Sequence, residues 1–166
     1  MAPYQSKPLD HSLQIQELHY ELNLYTDNHQ ESMVGGHGSN RYGEIDVNDW
    51  ALIDPNQNGR TVGHAKGLRI QATQDPNYAA RWHTSFDILF EAGSGLEGST
   101  LQVMGLDVLS GEWSIVGGTG TLDMARGVIY KRNLGNRVEL HIHALYIPMK
   151  RKRDSSDSRE KNVWSW

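Results

Sequence analysis

The spacing of its apolar residues constrains the fold of this chain more than any other feature. Apolar and polar residues alternate in short segments, with a period of two instead of the three to four expected of a helix. Seventeen glycines and clusters of Asn, Asp and Ser separate these segments. The sequence therefore predicts an all-β protein.

The alternation predicts strands at 18–25, 42–53, 60–73, 81–91, 99–106, 112–116, 121–130 and 137–147. That set matches an eight-stranded antiparallel β-barrel, a common solution for a small closed sheet. Turn residues at 56–59 and 134–136 favour hairpins between antiparallel neighbours. The segment 28–40 lacks alternation, so we expect a mobile loop beside one end of the barrel.

A chain of 166 residues is long enough for one core and too short for two. We divide it into an N-terminal tail at 1–17, a barrel domain at 18–148 and a polar, basic linker at 149–166. The linker begins with the basic run KRKR, lacks apolar periodicity and ends in VWSW, which is typical of a connector to a further domain.

Charge and composition exclude several classes of function. With a formal net charge of −4, the chain has no overall positive potential that would attract nucleic acid or an anionic membrane, so we expect neither partner. The chain has no cysteine, which excludes disulfides and thiolate chemistry. It shows no secretory signal and no Asn-x-Ser/Thr acceptor, which favours a cytoplasmic or nucleocytoplasmic location.

Two charged residues stand out as candidates for ligand binding. Asp27 ends the first predicted strand after Tyr25 and before Asn28, where it would hydrogen-bond a hydroxyl-rich ligand or cap the following turn. Arg126 falls in an apolar row on its predicted strand, so we expect a carboxylate or an anionic ligand beside it. A structural ion pair would explain that arginine equally well.

Aromatic and imidazole side chains provide further candidates. Trp82 shares a strand face with Phe86 and Phe90, a row typical of a core but also suited, with Tyr78 and Tyr25, to stacking on a sugar or a phenol. His141 and His143 point the same way on their strand and would bind zinc or nickel if His19 or another ligand converged on them. Exposure at a sheet edge explains the same spacing, and we predict no metal and no cofactor.

Three segments resemble the dirigent protein family: FDILFE at 86–91, GSTLQVMG at 98–105 and VGGTGTLDMARG at 116–127. The last is the most specific, since its glycine-rich turn and its Ala-Arg-Gly sequence are correctly spaced. LYTD at 24–27 and GHAKGL at 63–68 extend the likeness over 18–147. The glycines at 117–120 fit a tight turn better than a phosphate cradle, because their spacing matches no nucleotide motif.

The resemblance implies an eight-stranded barrel of the allene oxide cyclase type, a homo-oligomer (trimer or dimer) and a cavity that orients phenoxy radicals without oxidising them. By position it implies an acidic mouth residue at Asp27, the characteristic strand arginine at Arg126 and a pocket tyrosine at Tyr78. Thr121 and Leu122 depart from the pattern of many lignan-forming members.

In its intracellular character and its polar connector, the chain is similar to the cereal proteins that join such a domain to a jacalin-type, mannose-specific lectin domain. We therefore hypothesise a non-enzymatic plant defence domain that binds carbohydrate at the barrel mouth through Tyr25, Asp27 and Asn28. The alternatives are a pocket that steers the coupling of phenolic radicals or quinone methides, and a trimeric scaffold that raises lectin avidity. We predict no catalytic residue, and at most a stereo-directing role without an oxidative centre of its own.

Overall fold

The computed structural model describes residues 14–25, 30–75, 77, 82–107, 110–135 and 137–148. Within them the chain forms nine strands and one short 3-10 helix at Gly120–Leu122. The strands are β1 (Gln16–Tyr25), β2 (Gln30–Val34), β3 (Ile45–Asp54), β4 (Arg60–Gln71), β5 (Trp82–Phe90), β6 (Thr100–Asp107), β7 (Ser110–Thr119), β8 (Arg126–Asn133) and β9 (Val138–Tyr146). No helix in this part of the chain is long and apolar enough to cross a membrane.

Eight of these strands form a closed antiparallel barrel, which confirms the predicted fold. The hydrogen-bonded order runs β1, β9, β8, β7, β6, β5, β4, β3, and the pairing of β1 with β3 closes the sheet. That closing contact aligns Asn23 with Ile53 and Tyr25 with Ala51. Past the end of β1 at Tyr25, β3 pairs with β2 instead, so this part of the β3 edge also has a hydrogen-bonded partner.

The barrel has two ends, which we name by the strands that reach them. At the upper end β1 finishes at Tyr25 and β5 begins at Trp82; at the lower end β8 begins at Arg126 and β5 finishes at Phe90. The lower part of the interior is filled by fully buried aliphatic and aromatic side chains, among them Leu22, Leu52, Ile88, Phe90, Leu101 and Ile142. Each such side chain contributes about 1.5–3 kcal/mol of burial free energy.

The predicted turns are confirmed where the structure describes them. Asn58 and Gly59 both adopt positive φ angles, 55° and 74°, in the turn between β3 and β4. Gly135 does the same at 88°, and Leu134 N donates to Arg137 O at 2.9 Å to close the hairpin between β8 and β9. These positions need left-handed backbone, which Gly and Asn adopt at low cost.

Two sequence predictions were wrong. The segment expected to be an irregular loop contains β2, because its pairing with β3 supplies hydrogen bonds that a sequence pattern does not reveal. The strand expected at 121–130 begins only at Arg126: Gly120–Leu122 form the 3-10 helix and Met124 has a φ of 58°.

This break changes the environment of Arg126. The expected apolar row does not exist, since Leu122 is fully buried while Met124 is exposed. Arg126 itself is exposed, and its Nη1 donates to the carbonyl of Ala125 at 2.8 Å. The prediction that Arg126 lies in an apolar row was therefore wrong, and with it the reason to expect a carboxylate or an anionic ligand beside it, because water solvates an exposed guanidinium.

Candidate ligand-binding site

Four ionised side chains meet inside the upper end of the barrel. Asp46, Arg69, Asp107 and Lys131 occupy inward positions of four different strands. Arg69 Nε lies 2.9 Å from Asp46 Oδ2, and its Nη1 lies 3.5 Å from Asp107 Oδ2. Lys131 Nζ contacts the other oxygen of Asp107. Two cations and two carboxylates thus compensate each other, which lowers the cost of removing them from water.

Tryptophan rings pack against both cations of this cluster. The Arg69 guanidinium lies 4.4 Å from the ring centroid of Trp82, and Lys131 Nζ lies 4.6 Å from that of Trp113. Phe86 contacts Trp113 edge to face at a centroid distance of 5.1 Å. Cation–π contacts of this kind contribute about 0.5–2 kcal/mol each. The upper interior therefore combines flat apolar surface with fixed charge.

Several buried polar atoms in the same region have no hydrogen-bond partner within the described part of the chain. They lie on inward positions of β3, β4, β5 and β7, and they are Asn48 Oδ1, Trp50 Nε1, Gln71 Oε1, Thr84 Oγ1 and Trp113 Nε1. An unsatisfied buried donor or acceptor costs about 1–3 kcal/mol. Native proteins keep few of them. They lie in the upper part of the barrel interior, where water or a ligand would supply the missing partners.

The residues proposed from sequence relate to this site in different ways. Trp82 lies in it, and its predicted row with Phe86 and Phe90 is confirmed as inward-facing. Tyr25 ends β1 at the upper end, but its side chain lies outside the described residues. Asp27, Asn28 and Tyr78 also lie outside them. The carbohydrate hypothesis, which rested on Tyr25, Asp27 and Asn28, stays a prediction.

Arg126 lies at the opposite end of the barrel from Tyr25. It pairs with Leu145, which pairs in turn with Glu17, eight residues before Tyr25 on β1. At about 3.3 Å per residue the separation along the strands is about 26 Å. Ile129 and Lys131 on the same strand face inward, whereas Arg126 alternates with them and is exposed, so the structure does not bring it to the tryptophan-lined site. Its role in ligand binding stays a prediction.

Sequence reasoning missed the charged cluster, although the strand period contained a signal for it. Asp46 and Asn48 alternate in step with Trp50, so the period already placed them on the inner face of β3. Lys131 follows Ile129 in the same way on β8. This period alone does not identify the cluster. Polar residues in a strand pattern are also typical of loops and surfaces, and the sequence does not show which partners they meet on other strands.

A second buried polar contact lies at the lower end. Tyr20 Oη donates to Asp54 Oδ2 at 3.2 Å, and the Tyr20 ring stacks on Phe90 at a centroid distance of 6.0 Å. Burial, with the negative charge of Asp54, raises the pKa of Tyr20 to about 12. Asp54 also accepts from the backbone nitrogen of Asn56 and from Gln57, so it fixes the turn that follows β3.

Comparison with known proteins agrees with this architecture. A sequence model described as "Dirigent-like protein" matches residues 20–145. The solved structure of the pterocarpan synthase dirigent protein GePTS1 is similar at 20% identity and a TM-score of 0.70, over 90% of this chain and 92% of that one. That of the pterocarpan synthase dirigent protein PsPTS1 gives 18% and 0.63, over 83% and 97%.

A solved structure of a pyocyanin demethylase is also similar, at 15% identity and a TM-score of 0.60, over 76% of this chain and 99% of that one. No curated protein sequence matches significantly. At these identities the structural matches establish the fold, while the family match covers most of the chain.

Proposed function

This chain belongs to the dirigent family, and from that premise we propose that it binds a small phenolic ligand inside the upper end of the barrel and orients it for stereoselective coupling. The observation that carries the proposal is the set of aromatic and polar side chains that the strands place there. Trp82 and Trp113 supply aromatic rings there, and the buried side chains of Asn48 and Thr84, on inward positions of β3 and β5, carry polar atoms without a hydrogen-bond partner among the described residues. A phenol matches both, since its ring stacks and its hydroxyl pairs with an acceptor or a donor.

The charged cluster gives this site a way to stabilise changes of charge in a phenolic ligand. Lys131 and Arg69 would stabilise a phenolate or a quinone-methide oxygen, and Asp107, which contacts both, would stabilise a developing cation. Because each cation contacts a carboxylate and an indole ring, Arg69 and Lys131 are fixed before a ligand arrives. Prior fixation reduces the free energy spent on ordering the site.

Membership of the dirigent family supports this role, and so do two similar structures, because both of those proteins are described as pterocarpan synthase dirigent proteins. In the proposed role this chain has no oxidative centre. An external oxidase generates phenoxy radicals, and the barrel holds them so that coupling occurs on one face.

The test is chiral analysis of the dimers formed from coniferyl alcohol by a one-electron oxidase, with and without the purified protein. We expect an enantiomeric excess with the wild type and a racemic product with Trp113→Phe, which keeps an aromatic ring but removes the indole N–H. Tyr130→Phe, on the exposed outer face of β8, is the matched control and should retain the excess. Racemic product from the wild type would contradict steering of this substrate.

Direct binding separates recognition of the ligand from steering of its coupling. Calorimetric titration with coniferyl alcohol should give saturable binding that Trp113→Phe weakens by about tenfold, the effect of losing one buried hydrogen bond of about 1.4 kcal/mol. Binding without enantiomeric excess would retain the ligand site and reject the coupling role. Absence of both would reject the proposal.

A further inference from the structure

The outer face of the barrel carries a histidine pair that the ligand site does not use. His19 on β1 and His143 on β9 are direct partners across the antiparallel ladder. Their ring centroids are 4.3 Å apart and the ring planes meet at 74°. Both side chains are exposed, and they line a surface depression of about 330 Å³. The sequence pattern suggested a metal site at His141 and His143 joined by His19 or another ligand, and the structure brings the ring of His19 to that of His143.

The nitrogens of this pair differ in what they contact. His19 Nε2 lies 2.9 Å from Glu17 Oε1, an arrangement that leaves Nδ1 available. A carboxylate that accepts from the second nitrogen is the usual outer partner of a metal-binding imidazole. His143 has no hydrogen-bond or ion-pair partner among the described residues; besides His19, the ring of Tyr130 lies near it, at a centroid distance of 5.4 Å. Two imidazole nitrogens on adjacent strands are therefore available as ligands.

The spacing of the rings distinguishes between metal geometries. With nitrogen–metal bonds of about 2.0 Å, two imidazoles bound cis at about 90° have centroids about 4.4 Å apart, whereas a tetrahedral angle separates them by about 5.1 Å. The observed 4.3 Å matches the cis arrangement. Tetragonal coordination by nitrogen and oxygen is typical of Cu²⁺ and Ni²⁺, and Cu²⁺ binds nitrogen ligands more tightly.

We propose that His19 and His143 bind one Cu²⁺ ion on the outside of the barrel, with Glu17 orienting His19 and water completing the coordination. No group of three or more His, Asp or Glu side chains suited to a metal occurs in the described residues, so this is a two-imidazole site. His141, the next residue on the same face of β9, is not a ligand. Its Nδ1 lies 3.3 Å from Glu21 and its Nε2 lies 3.3 Å from Glu139, so carboxylates contact both nitrogens.

The test is calorimetric titration of the full chain, without an affinity tag, with Cu²⁺ in a weakly coordinating buffer. The wild type should bind one ion with micromolar affinity, and electron paramagnetic resonance should show two nitrogen ligands. Glu17→Gln should weaken binding by about tenfold, the usual effect of removing an outer partner. His19→Ala and His143→Ala should each weaken it further and leave one nitrogen in the spectrum.

His141→Ala is the matched control, and it should stay within about threefold of the wild type because its ring does not contact the metal. Circular dichroism checks that each variant folds, as expected for exposed positions. The proposal is overturned if the wild type binds no Cu²⁺, if both His19→Ala and His143→Ala bind as tightly as the wild type, or if His141→Ala loses as much affinity as they do.

Discussion

At the scale of single residues, the contact between Tyr20 and Asp54 makes the protein sensitive to alkaline pH. The raised pKa of Tyr20, about 12 in the folded state against about 10 unfolded, means that stability is complete below pH 10 and falls as the pH rises towards 12. Spectrophotometric titration of phenolate should show one late component near pH 12, absent in Tyr20→Phe. Asp54→Asn removes the negative charge and should move that component to lower pH. A late component that persists in Tyr20→Phe would assign it to another tyrosine.

At the scale of elements, the tight turn after β7 depends on the absence of a side chain at Gly118. A Cβ there would overlap the carbonyl oxygen of Leu122 and lie 2.8 Å from the Cβ of Ala125. Gly118→Ala should therefore destabilise the protein by about 3 kcal/mol, as expected for overpacking against backbone. Gly35→Ala is the control, because a Cβ placed at this position would have no atom within 4 Å. Equal midpoints for the two variants in urea would mean that the turn relaxes at little cost.

The elements also indicate what a sequence pattern can predict. The row from Trp82 to Phe90 alternates without a break, so both its extent and its inward face were predictable. The start of β8 was not, because the alternation from Leu122 to Tyr130 continues in the sequence although the backbone interrupts it at Met124. β2 was hidden for a different reason: its side chains alternate weakly, and its stability comes from the backbone of β3.

At the scale of the whole molecule, the barrel brings together residues that are far apart in sequence. Asp46, Arg69, Asp107 and Lys131 come from β3, β4, β6 and β8, and only the register of the closed sheet places them in contact. A sequence pattern places each residue on a face, but it does not give the register between strands. That is why the eight-stranded barrel could be predicted and the charged cluster could not.

The outer surface supports the prediction that the protein is a homo-oligomer. Val47, Leu68 and Met104 are exposed and lie in one row across β3, β4 and β6, with Ser85 between the last two. Contiguous exposed apolar surface is typical of a subunit interface.

Sedimentation equilibrium should therefore give a multiple of the 18.7 kDa chain mass, and Leu68→Lys should reduce it to that of the monomer. Met124→Lys, exposed near the lower end, should leave the mass unchanged, since it lies outside the row. A wild-type mass of one chain would leave the barrel monomeric, and any avidity gained from trimerisation would then be excluded for this protein.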